Sequence, residues 1–117
     1  MAIYHIARVA DWEKAKEAGE YRMSTRGRTL DEQGFIHASD LHQVVPTANL
    51  IYPDDDAATL VVLVIDPAEL GPGIVVRYED VPRSPDPFPH IFGPIRPEAV
   101  TGTLALRKGE DGRFLLI

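Results

Sequence analysis

The chain has 117 residues, 44% hydrophobic and 26% charged, with a formal net charge of −6 and no cysteine. That length fits one domain over 1–117 with one modest core, and the composition is that of an ordinary globular protein. The charge argues against general binding to nucleic-acid backbone or an anionic membrane, and the missing cysteines exclude disulfides, thiolate zinc sites and cysteine nucleophiles.

No apolar run approaches the roughly 20 residues that a bilayer requires, and the first residues lack the basic and apolar regions of a secretory signal. The cytoplasm is therefore the expected compartment, and the sequence leaves the oligomeric state open. Ala2 to Ala7 alternates as a first strand, with His5 on the face of Ile3 and Ala7 and with Tyr4 opposite. From Asp11 the apolar spacing turns helical through Trp12, Ala15 and Ala18, and Gly19 stops it. Tyr21 to Leu30 is weakly periodic, a strand start and then a loop. Arg22, Arg26 and Arg28 lie close together there, able to meet phosphates or simply to solvate the loop.

Gly34-Phe35-Ile36-His37-Ala38-Ser39 is the central motif. Alternation sends Phe35, His37 and Ser39 to one face and Ile36 and Ala38 to the other. Ser39 or Asp40 then caps a helix, with Gln43 at the capping-box position. Strand, corner and helix start leave backbone N–H groups beside His37, a setting for a polar or anionic ligand atom. Leu41 to Tyr52 has helical spacing, and Pro46 is expected to kink that helix or begin another. Asp54-Asp55-Asp56 reads as an acidic turn. Thr59 to Ile65 reads as a central strand buried on both faces. Ile74 to Glu79 follows as another strand, with Glu79 at its end.

Six of the ten prolines fall between Pro82 and Pro97. With Phe88, His90, Ile91 and Phe92 among them, the segment reads as a long, stiff loop, and Gly93 suits an unusual dihedral or close approach to a ligand. Ala99 to Arg107 and Arg113 to Ile117 flank a hairpin turn at 109–112. Strands and helices in mixed order imply an α+β fold, mostly antiparallel, with two or three flanking helices.

Three of the four histidines, His5, His37 and His90, sit in apolar and aromatic surroundings, and Glu79 joins them as an acid. One use of such a set is a metal site, although no His-x-His or His-Glu-x-x-His spacing occurs. A second is recognition of a hydroxylated aromatic ligand such as a nucleotide, with Tyr4 and Phe92 offering ring faces and Arg26 a phosphate contact. A third is structural: hydrogen-bonded core histidines in an interaction module.

Taken together, Ile3-Tyr4-His5-Ile6, the central motif and Phe88-Pro89-His90-Ile91-Phe92-Gly93-Pro94 resemble the family of domain of unknown function 952. The resemblance covers nearly the whole chain. It implies a distant likeness to the ADP-ribosyltransferase fold, a split antiparallel β core with an NAD-binding cleft, and hence NAD as the possible cofactor. It further implies that His5 meets the nicotinamide ribose or amide, that Ser39 matches a hydroxyl-bearing motif, and that Glu79 is the candidate for the transferase glutamate. His90 stands where an acid would be expected. Either ADP-ribosyl transfer, with His5, His37, Glu79 and His90 in catalytic roles, or a degenerate binder follows; a related RNA 2′-phosphotransfer chemistry stays open.

Overall fold

The computed structural model describes residues 1–82 and 84–117. Along the chain run β1 (Ile3–Arg8), α1 (Val9–Ala18), β2 (Met23–Thr25), β3 (Arg28–Thr29), α2 (Leu30–Gln33), β4 (Ile36–His37), α3 (Leu41–Ile51), β5 (Leu60–Ile65), β6 (Val75–Glu79), β7 (Phe88–Phe92), β8 (Val100–Leu104), β9 (Leu106–Lys108) and β10 (Phe114–Leu116). The class is α+β, and every strand pairing is antiparallel.

The β-branched run does form a central strand: β5 lies between β1 and β8. Its pairing with β1 places His5 opposite Leu63 and Ile6 opposite Val62, so alternate residues feed two cores. On one face Ile3, Ala7, Leu63 and Ile65 pack with Trp12 and Ala15 of α1 and with Ile36 and Ile91. On the other, Ile6, Leu60 and Val62 meet Val44 and Ala48 of α3 and Leu106 and Phe114 of the β9–β10 hairpin. Each fully buried Val, Leu, Ile or Phe among them contributes about 1.5–3 kcal/mol. Among the described residues no helix is long and apolar enough to cross a membrane.

The proline-rich segment departs from expectation. Inside it, β7 is the central strand of a second sheet, ordered β4-β7-β6. Pro89 is tolerated because its carbonyl faces β4, accepting from the Ala38 N–H at 3.0 Å. Its nitrogen faces the same way, so no donor is missing from the β6 ladder. Gly93 takes an unusual dihedral, φ 157°, and what approaches it is the Ile74 side chain, which a Cβ there would meet.

Tyr21 to Leu30 folds as the β2–β3 hairpin instead of a strand start and loop. The short helix α2 was also not expected, although Thr29-Leu30-Asp31-Glu32 carries its signal. The Thr29 N–H donates to Glu32 Oε1 at 2.9 Å and the Glu32 N–H to Thr29 Oγ1 at 3.2 Å, a complete capping box. Pro46 neither ends α3 nor starts another helix: it sits within a single run on the exposed side.

The two three-stranded sheets meet where β1 passes the residue after Ala38. Tyr4 and Ser39 exchange both backbone hydrogen bonds, at 2.8 and 2.7 Å. This junction positions the site.

Candidate functional site

At the junction lies a partly open hollow of about 100 Å³. Tyr4, His5 and Ile6 of β1, Ser24 and Thr25 of β2, His37, Ala38 and Ser39 at the β4 corner, Thr47 and Ile51 of α3, and Tyr52 and Phe88 line it. The corner forms as its residues dictate. Asp40 begins α3, its N–H donating to Gln43 Oε1 at 2.9 Å, while Gln43 Nε2 reaches the Pro87 carbonyl at 3.0 Å. The Tyr78 hydroxyl donates to Asp40 Oδ1 at 2.7 Å and is pushed up to about 12 by desolvation and by that bond.

His5 is buried and fully occupied. Nδ1 donates to the His37 carbonyl, which accepts only, so Nε2 is the bare nitrogen and takes the Tyr21 hydroxyl at 2.8 Å. Burial lowers the imidazole to about 4, against the backbone bond, and the ring is neutral at pH 7. Burial also drives the Tyr21 hydroxyl far upward. Tyr21 is the partner sequence reasoning missed: it opens the Arg-rich stretch, and nothing in its spacing points at His5.

His90 and Glu79 form a separate cluster on the second sheet. His90 Nδ1 and Glu79 Oε1 lie 2.6 Å apart. Phe35 stacks on the His90 ring with centroids 4.0 Å apart, and the His37 ring meets His90 edge-on at 5.0 Å. Phe92 touches Phe35 at 5.7 Å and lies under Arg77. Thus Tyr4, His5, His37 and Ser39 surround the hollow, whereas Glu79, His90 and Phe92 stand beyond it, connected through the His37 ring. Arg26 lies beside the hollow: it donates to the Ile51 carbonyl at 3.2 Å, pairs with Asp55 at 3.1 Å and passes over Tyr52. Burial raises the Tyr52 hydroxyl, with a Thr25 hydrogen bond opposing.

Among the described residues no three of His, Asp and Glu gather as a metal-holding group. No Asp, Glu, Lys or Arg lines the hollow. It is a small chamber of hydroxyls, rings and the aliphatic side chains of Ile6, Ala38 and Ile51, fit to hold a neutral group with a polar edge.

A family model described as "Protein of unknown function (DUF952)" matches residues 6–103. The chain belongs to the DUF952 family. The matched span of this DUF952 protein contains Ser24, His37, Ser39, Glu79 and His90, and His5 precedes it by one residue. The fold is similar to the crystal structure of protein CC0527 from Caulobacter crescentus, with a TM-score of 0.80 and 29% identity over 98% of this chain and 94% of that one. It is also similar to the solution NMR structure of CC0527, with a TM-score of 0.72 and 28% identity over 96% and 90%. No curated protein matches the chain.

Proposed function

We propose that this DUF952 protein binds a nucleotide of the NAD or ADP-ribose class, with a ring-sized neutral part of the ligand in the junction hollow. One observation carries the reading: side chains from β1, β2, the β4 corner and α3 converge on a single space lined by hydroxyls and aromatic rings and free of acidic or basic groups apart from histidine. A space of about 100 Å³ holds a few waters or one ring, not a whole dinucleotide. The remainder would run out past Arg26, whose guanidinium a phosphate would take over from Asp55.

The ADP-ribosyltransferase-like kinship belongs to the same proposal, and two small antiparallel sheets joined beside a hollow with hydroxyls in its lining support it. Binding is preferred to transfer. Ribosyl transfer needs a carboxylate near the sugar as positive charge develops, and Glu79 is bonded to His90 outside the lining. The competing reading, an interaction module with structural histidines, draws on the two protein hydrogen bonds of His5.

Thermal shift with NAD, ADP-ribose and nicotinamide at millimolar concentration separates them. Ligand at about 100 times its dissociation constant stabilises by about 2.7 kcal/mol, which is several degrees for a domain of this size. No shift with any of the three would leave the interaction module as the reading. His37→Ala sharpens the choice. Its backbone carbonyl still receives His5, so affinity is expected to fall about tenfold, a larger loss than that in fold stability; a large drop in melting with unchanged affinity would make His37 structural.

A further inference from the structure

Among the described residues, two buried side-chain polar atoms have no hydrogen-bond partner: Ser24 Oγ and His90 Nε2. Buried polar groups are paired as a rule, so each such atom asks for an explanation. Ser24 is 0% exposed and lines the hollow. Its placement there is built into the hairpin. Met23 pairs with Thr29 and Thr25 with Arg28, which makes Ser24 the extra residue of a β-bulge. In a regular strand Ser24 and Thr25 would point to opposite faces, yet both line the same space, because a bulge re-aims a side chain.

The surroundings restrict what Ser24 could meet. Both His5 nitrogens are engaged by protein groups, and no lysine, arginine or carboxylate lines the hollow. An anion entering would lose its hydration without gaining a lysine or arginine, whereas a neutral group loses far less. A serine hydroxyl both donates and accepts, which suits a partner that does the same.

We infer that Ser24 Oγ is the ligand anchor of the hollow and that this chamber selects a neutral group able to give and take hydrogen bonds, a carboxamide or a sugar hydroxyl, over an anionic one. The inference rests on the nucleotide-site reading above. It adds the residue that makes the contact and the charge of what it contacts.

The test is calorimetric titration of the full chain, Ser24→Ala and Ser24→Cys with nicotinamide, nicotinate and ADP-ribose, with a thermal melt of each protein alone. Ser24→Ala removes an unpartnered hydroxyl, so its melting temperature is expected to match or exceed that of the parent. Its affinity for the bound probe is expected to fall about tenfold, the usual effect of one lost hydrogen bond. Ser24→Cys fills the position with a slightly larger group that is a weak donor, should lie between, and serves if the alanine variant does not fold. Nicotinate is expected to bind at least tenfold more weakly than nicotinamide. Nicotinamide without ADP-ribose identifies a carboxamide, and ADP-ribose without nicotinamide a sugar hydroxyl. Parent-like affinity in both variants overturns the anchor while leaving the hollow as a binding site. Nicotinate binding as well as nicotinamide overturns the charge selection. Failure of all three probes on the parent chain removes the nucleotide site and this inference together.

Discussion

His5 and His90 are equally buried, each 3% exposed, but they are held in different ways. On the β1 side, His5 gives one nitrogen to the His37 carbonyl and the other to Tyr21, and burial keeps it neutral. On the β7 side, His90 has Glu79 at one nitrogen, Phe35 on its face and no partner at the other nitrogen. The contrast teaches that depth alone does not mark a working histidine. What matters is whether any hydrogen-bonding capacity is left over: His5 has none, and its role is to tie β1, the β4 corner and the Tyr21 segment together.

The largest expected effect tests that role. His5→Ala leaves a cavity and strands the His37 carbonyl and the Tyr21 hydroxyl, and is expected to cost about 3–5 kcal/mol in urea denaturation. A cost below about 1 kcal/mol would erase the difference between the two histidines. Next is acid sensitivity. His5 titrates near 4 when folded and at 6.5 ordinarily, so the unfolded chain takes up a proton in that window which the folded chain refuses. Its contribution, about 3 kcal/mol, is complete above pH 6.5 and drains away as pH falls towards 4. Denaturation curves at pH 7.5, 6 and 4.5 should show this slope in the parent and a clearly shallower one in His5→Gln. Tyr21→Phe removes the donor to Nε2 alone and is expected to cost about 1–3 kcal/mol. The smallest effect belongs to the other histidine. Glu79 is partly exposed, and Glu79→Gln keeps an acceptor oxygen for Nδ1, so a loss of about 1 kcal/mol or less is expected. A larger loss there than in Tyr21→Phe would reverse the ranking.

Much of the first sheet was legible in the residues. Apolar alternation places His5 with Ile3 and Ala7, and the β-branched run makes β5 the central strand, because both signals depend only on which face is buried. The β9–β10 hairpin followed from its glycine-flanked turn, although the strand expected over Ala99 to Arg107 divides at Ala105 into β8 and β9, which lie in different sheets. The second sheet was hidden for a physical reason: proline rarely sits in a central strand, and Pro89 escapes the rule only because its nitrogen faces the short strand β4, a fact of register that local sequence does not carry. Around the hollow, His37 and Ser39 were visible from alternation and capping, and Tyr4 from its ring near the first motif histidine. Ser24 was not, since a bulge interrupts the very periodicity that would have displayed it. Tyr21 was missed because its partner lies 16 residues away in sequence.

The Tyr4–Ser39 exchange carries one more consequence. It stitches backbone to backbone between the two sheets, beside the His5–His37 bond, and the hollow sits on that seam. A guest lodged there would touch β1 on one side and the β4 corner on the other, acting as a clasp across the join. The solvent exchange of those two amide protons would then serve as a clock for occupancy, slowing when the chamber is filled.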